Sequence, residues 1–244
     1  MKVAILSDIH GNMQALESVM KDINKNGCEK VLCLGDLAMA GPEPSKVIDF
    51  VKSQSNWTVI QGNTDKMIAD FTPEILKNTE RVFPVMAHAL ADDVLFLPDD
   101  RKEYLKNLPA QKELKIEGVK ILMVHGSPRR NNEDILPDMP IAQIEEIIKR
   151  VSADLVFCGH THIPAGYQTS TKQTVVNVGS VGRPMTKDAK SCYCIANFDN
   201  GSFSIEHRLL DYDREKAAEI MRSRAFDGAE KLAEMILHPT SRHV

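Results

Sequence analysis

The stretch Val3-Ala4-Ile5-Leu6-Ser7-Asp8-Ile9-His10 decides how the rest of the chain is read. Its four leading apolar residues run without alternation, as in a strand buried on both faces. Asp8 and His10 follow at once and stand two apart, so in extended chain both side chains point to one side. The same order recurs down the sequence. Residues 31–34 are apolar and lead into Gly35-Asp36. Residues 57–60 lead into Gly62-Asn63. Residues 119–124 lead into His125-Gly126, and residues 155–158 into Gly159-His160-Thr161-His162.

Between these strands the spacing is helical. Met13, Leu16, Val19, Met20 and Ile23 mark one helix, with Asn12 placed to cap it and Gly27 to end it. A second starts at Pro44, where proline is tolerated. The alternation predicts βαβ units and a sheet that begins parallel. Residues 66–110 differ: the pattern is helical and broken by Pro73, Pro84, Pro98 and Pro109. This segment reads as a helical cap inserted into one domain spanning 1–244. The sheet then resumes, with a hairpin turning at Glu117-Gly118 and a helix over 141–151. Further strands fall at 155–158, 174–178, 193–198 and 203–209, the last two joined by Asp199-Asn200-Gly201. A single C-terminal helix is expected within 211–237, from Asp213 to about Met235, before a frayed tail from His238.

Composition narrows the class. The chain has 244 residues, 43% hydrophobic and 26% charged, which is ordinary for a soluble globular protein. Thirty basic against 34 acidic residues argues against bulk nucleic-acid binding, while leaving room for a small phosphorylated ligand. The five cysteines show no CxxC spacing and read as buried apolar residues in a reducing compartment. Cys192 and Cys194 share a strand face, where core packing is favoured over a metal pair. The N-terminal apolar run is too short for a signal peptide, and no stretch reaches the roughly 20 residues of a membrane span. A cytoplasmic protein, monomeric or homo-oligomeric, is expected.

The polar residues that follow the strands carry the chemistry. In open α/β sheets, ligands bind beyond the carboxyl ends of strands. Asp8, His10, Asp36, Asn63, His125, His160 and His162 should therefore converge, although 154 positions separate the first from the last. Carboxylate, imidazole and amide oxygen together suit first-row divalent ions. Seven donors are too many for one ion and fit two ions sharing a carboxylate. Such pairs, about 3.5–4 Å apart, clamp the attacking and leaving oxygens of a phosphoryl displacement.

These motifs, Asp8-Ile9-His10, Gly35-Asp36, Gly62-Asn63-Thr64-Asp65, His125-Gly126 and Gly159-His160-Thr161-His162, resemble those of the calcineurin-like metallophosphoesterase superfamily. Val178-Gly179-Ser180-Val181-Gly182 and Tyr212-Asp213 are similar to its compact bacterial and archaeal phosphodiesterase branch. The resemblance implies an α/β fold: a four-layer αββα sandwich of two mixed sheets flanked by helices. It implies one metal on Asp8, His10, Asp36 and His162, and a second on Asp36, Asn63, His125 and His160. Asp36 is then the bridge, and Asp36, Asn63 and His125 are the expected catalytic residues. The implied reaction is in-line attack on a phosphodiester, small-molecule or nucleotide, by a metal-bridging hydroxide. Two Mn²⁺ ions are the first expectation, with Fe, Zn, Ni or Co as alternatives. One position departs from the family pattern: Thr64 stands where a histidine usually serves the leaving group.

Secondary candidates surround the set. Arg129 and Arg183 are placed to contact a phosphate, with solvated arginine as the competing reading. Asp65 reads as a helix cap. His88, among Val85, Met86, Ala89 and Leu90, reads as a partly buried structural histidine. If the cap roofs the site, His88 is also the candidate proton donor in place of Thr64. Three rivals accompany the phosphodiesterase reading. A phosphoprotein phosphatase of the same superfamily would normally keep the histidine absent at Thr64. A non-catalytic scaffold, like the retromer subunit that the fold resembles, should show eroded ligands. A nuclease should be more basic.

Overall fold

The computed structural model describes residues 1–239. Its first half is the expected βαβ series: β1 (Lys2–Leu6), α1 (Met13–Lys25), β2 (Lys30–Cys33), α2 (Pro44–Lys52) and β3 (Trp57–Val59). Asn12 caps α1 by accepting from the Ala15 amide at 3.1 Å. Four helices follow, α3 (Asn63–Ala69), α4 (Pro73–Val82), α5 (Pro84–Phe96) and α6 (Asp99–Asn107). Three of the four prolines sit at or just before helix starts, where the missing amide hydrogen costs nothing. The chain continues through β4 (Gln111–Ile116), β5 (Val119–Val124), α7 (Ile141–Ile148), β6 (Leu155–Cys158), β7 (Ala165–Gln168) and β8 (Thr174–Asn177). It ends with β9 (Ser191–Asp199), β10 (Ser202–Leu210), α8 (Arg214–Ser223) and α9 (Ala229–Leu237).

Two five-stranded sheets form, ordered β10-β9-β1-β2-β3 and β4-β5-β6-β8-β7. Both are mixed. β1, β2 and β3 run parallel, β9 is antiparallel to β1, and β10 is antiparallel to β9. In the second sheet β5, β6 and β8 run parallel between antiparallel edges β4 and β7.

The continuous apolar strands now have their reason. In β1, Val3 and Ile5 face the other sheet, alongside Leu32, Ile121, Leu155, Phe157 and Val176. Ala4 and Leu6 face α1 and α2, through Leu16, Val19, Val47 and Ile48. Across the second sheet, Leu122, Val124 and Val156 pack on Ile144 and Ile148 of α7. Helix, sheet, sheet and helix therefore stack as the expected αββα sandwich.

Two expectations change. The C-terminal helix is two helices, broken where Ala225 and Gly228 take positive φ (57° and 97°). A left-handed glycine ends helices readily, and the Asp227-Gly228 pair was the available signal. β7 was not anticipated, because a four-residue edge strand with two exposed positions carries little periodicity. Within 66–110, Ile68, Ala89, Leu90, Leu97 and Leu105 are buried in the main helix–sheet core. The segment's arm, α4 and the start of α5, has no fully buried residue before Ala87, with Val82 and Phe83 59% and 62% exposed. Beyond Pro239, the tail lies outside the described residues. Among those described, no helix is long and apolar enough to cross a membrane.

Candidate metal centre

The turn after β1 and the turn after β2 are zipped together. The amides of Asp8, His10 and Gly11 donate to the carbonyls of Gly35, Asp36 and Leu37 at 3.0, 2.9 and 2.8 Å. This sets Asp8, His10 and Asp36 side by side. The second sheet is tied to the same point. The His160 amide donates to Asp8 Oδ2 at 3.0 Å, and the His125 ring bonds the Leu34 carbonyl at 2.8 Å. A Cβ on Gly159 would sit 2.2 Å from Ser7 Oγ and 2.6 Å from Asp8 Oδ2, so only glycine lets the sheets approach here.

Five of the seven expected donors, Asp8, His10, Asp36, His160 and His162, have φ between 47° and 65°. Each such non-glycine residue generally costs about 1–3 kcal/mol, and strain of this kind gathers at functional sites. Asp65 supports the turns. Its carboxylate accepts from the amides of Gly62, Asp36 and Leu37 at 3.0, 2.8 and 2.9 Å. It is thus the expected cap of α3 and also the clamp of the Asp36 turn. Burial first, then the Asp36 charge, push its carboxyl up to about 7.

The imidazoles show what the site is built to hold. His10 Nδ1 faces the Met39 carbonyl at 3.0 Å, His162 Nδ1 the Arg183 carbonyl at 2.6 Å, and His125 Nδ1 the Leu34 carbonyl at 2.8 Å. A carbonyl only accepts, so each Nδ1 carries the proton, and in the neutral rings Nε2 presents a lone pair. The Nε2 atoms converge on one another and on side-chain oxygens. His10 Nε2 and His162 Nε2 lie 3.1 Å apart, and His125 Nε2 lies 2.9 Å from Asn63 Oδ1. Asp8 Oδ1 lies 3.1 Å from His162 Nε2 and 3.8 Å from both His10 and His125 Nε2. It is buried and has no hydrogen-bond partner. Asp36 Oδ2 lies 3.7 Å from His10 Nε2 and 3.4 Å from His125 Nε2. Carboxylate oxygens and the Nε2 atoms of neutral imidazoles gathered this closely are stabilised by cations, and backbone-oriented histidine is a common arrangement behind metal ligands.

Two overlapping triads bring their donor atoms within 4.8 Å: Asp8, His10 and His162, and Asp8, Asp36 and His125. The residues fit divalent ions. Asp36 spans His10 and His125, as a bridging role requires, but Asp8 is the residue common to both triads. His160 stands at the edge, its ring 5.4 Å from that of His125 and its Nε2 3.4 Å from Asp134, a residue the sequence did not single out.

The charges match. Burial would push the Asp8 carboxyl up, but His162, His125 and His10 outweigh it and hold it far below the usual carboxylate range. Asp36 is likewise opposed by burial, yet His125 and His10 bring it to about 2. Burial lowers His10 to about 4 against the pull of Asp36. Burial also opposes a charge on His125, but Asp36 and Asp8 prevail and raise it to about 10. His160 is lowered, chiefly by burial.

The secondary candidates divide. Arg183 lines a cavity of about 420 Å³ together with His10, Asp36, Asn63, His160 and His162. Arg129 is not brought there. Its Nε donates to Glu133 at 2.9 Å, four residues along the same loop, and the pair borders a different surface cavity. A nearer carboxylate satisfies its fork. His88 is partly buried, as read, but its Nδ1 faces Asp227, 2.9 Å from the carbonyl, and it does not line the cavity. It is no proton donor for this site. Lys231 and Met235 of α9 do line the cavity. The sequence offered no sign of this, because the helix break that turns α9 was not anticipated.

Residues 1–201 match the model of the calcineurin-like phosphoesterase superfamily domain, and the chain belongs to that superfamily. The match stops short of α8 and α9. The uncharacterized protein MJ0912 of Methanocaldococcus jannaschii is 29% identical over 233 residues, covering 89% of this chain and 90% of that protein. Hypothetical protein PH1004 from Pyrococcus horikoshii superposes with a TM-score of 0.86 at 25% identity, over 98% of this chain and 99% of that one. A metallophosphoesterase from Sphaerobacter thermophilus shares the fold, with a TM-score of 0.78 at 22% identity over 98% and 99% of the two chains. Membership and donor set together support a metal-dependent phosphoesterase.

Proposed function

We propose that the chain hydrolyses a phosphodiester, small-molecule or nucleotide, with two divalent ions held by Asp8, His10, Asp36, Asn63, His125, His160 and His162. The observation that carries this is the inward aim of three imidazole Nε2 atoms, each ring held by a carbonyl at Nδ1, at two buried, ionised carboxylates. Ions there would supply Lewis acidity and lower the pKa of water toward neutrality. Mn²⁺ is the first ion to test, followed by Fe, Zn, Ni and Co. The protein's own part is to fix the donors, exclude water from one side and present Arg183 to the phosphoryl oxygens. The complete donor set favours an enzyme over a scaffold on this fold. Four of the five unpaired cysteines are buried, which accords with a cytoplasmic setting.

Diesters are favoured over monoesters and phosphoproteins because of Thr64. Its amide donates to Asp36 Oδ1 at 2.8 Å and its hydroxyl to the Ala38 carbonyl at 3.2 Å. The hydroxyl is therefore engaged with the backbone. The test is kcat/KM on mono- and bis-aryl phosphates sharing one leaving group, across the divalent metals. The bis-aryl ester should win. A clear monoester advantage contradicts the diester assignment, and no turnover with any metal contradicts the enzyme reading.

A further inference from the structure

The cavity over the metal donors has two unlike halves. Its floor is polar, formed by Asp36, Asn63, Thr64 and the histidines. Its apolar lining comes from three separate segments: Phe83, Val85 and Met86 on the cap arm, Met185 on the loop after Arg183, and Met235 on α9. The wall is held by design of the backbone. Arg224, at the break between α8 and α9, donates to Asp93 of α5 at 2.6 Å, to Asp92, and to the Gly41 carbonyl at 2.6 Å. Gly228 lies so close to α5 that a Cβ there would meet Val85 Cγ2 at 2.7 Å. The helix break thus lays α9 against α5, over the site.

Within the cavity one cation is set apart. Arg183 Nη1 lies 3.2 Å from Met86 Sδ, a weak acceptor, and no other described side-chain bond is made by its guanidinium. Burial pulls it down to about 10, with Asp36 opposing. A partly buried guanidinium with only a thioether acceptor is short of partners and is satisfied by an anion. Lys231 adds an exposed cation from α9. Among the described residues, no side-chain carboxylate or amide lines the cavity apart from Asp36 and Asn63. A polyol or peptide entering it would leave hydroxyls or amides without partners, at about 1–3 kcal/mol for each one buried.

We propose that α5 and α9 form a specificity wall for a flat apolar ester group, aryl or nucleobase, on a phosphate held by Arg183. This rests on the phosphoesterase reading and names its substrate class. Three methionine thioethers and a phenyl ring suit an aromatic face, since sulfur–aromatic contacts add about 0.3–1.5 kcal/mol each.

The test is calorimetric titration of the Mn²⁺-loaded protein with inorganic phosphate, phenyl phosphate and glycerol phosphate. The three share the phosphoryl group and differ only in what meets the wall. Phenyl phosphate should bind at least about tenfold more tightly than glycerol phosphate, a difference of about 1.4 kcal/mol. Met235→Asn should cut that ratio to about threefold or less. Phe83→Asn, at an exposed position where folding is not at stake, should lower it in the same direction. Equal affinity for the two esters in the wild type, or a ratio unmoved by both variants, overturns the wall while leaving the phosphoesterase reading intact. Failure to bind all three ligands overturns both.

Discussion

At the residue scale, the site is a set of ligand atoms that backbone carbonyls have already oriented. In the metal-free protein His125 is raised to about 10 by Asp36 and Asp8, so it is protonated at neutral pH. A ligating imidazole is neutral, so a metal must displace that proton. Loading should therefore release at least about one proton per chain near pH 7.5. Apparent affinity should rise with pH up to about 10. Titration in buffers of differing ionisation enthalpy measures the release, and zero release contradicts the assignment of His125. The same scale separates donors from bystanders. Asp36→Asn should lower kcat more than about a hundredfold, the upper range for loss of a mere supporting partner. Thr64→Ala loses a hydroxyl that only bonds Ala38 and should stay within about threefold, with about 1 kcal/mol less stability. A collapse of activity in Thr64→Ala would show that the hydroxyl meets the substrate.

At the element scale, strand ends were readable and the break in the C-terminal helix was not. An apolar run followed by Asp, His or Asn is a local pattern, and its convergence follows from parallel strands sharing one end. The break between α8 and α9 depends on a glycine that continues an otherwise helical spacing. Its purpose depends on Arg224 meeting Asp92 and Asp93, which lie 132 and 131 positions away. No local window contains that information. Arg129 misled for the converse reason: its position after His125 was suggestive, but Glu133 in the same loop claims it. Burial pushes Asp93 up to about 6 and Arg224 restrains it, so the pair is a buried ionic contact between the cap and the C-terminal helices. Removing one partner strands the other. Arg224→Met should cost about 3–5 kcal/mol, and adding Asp93→Asn should restore part of it. Denaturant unfolding of the single and double variants checks this, and an unchanged midpoint in Arg224→Met contradicts the clamp.

At the scale of the whole molecule, two sheets are needed because neither carries the site alone. β1 and β2 bring Asp8, His10 and Asp36, while β5 and β6 bring His125, His160 and His162. The apolar contact of Val3, Ile5 and Leu32 with Ile121, Leu155 and Phe157 holds the halves in register. The apolar runs by themselves showed only strands buried on both faces, and the two-sheet sandwich entered as what the family resemblance implied. The cavity's apolar wall was not legible, because it joins residues from 83 to 235 that no periodicity links. The central claim is that this junction holds two ions and that hydrolysis needs both. The most direct measurement is elemental analysis of the Mn²⁺-reconstituted protein, titrated in parallel with diesterase activity. The account predicts two ions per chain, with activity rising only as the second is filled. Full activity at one ion per chain or fewer would contradict it.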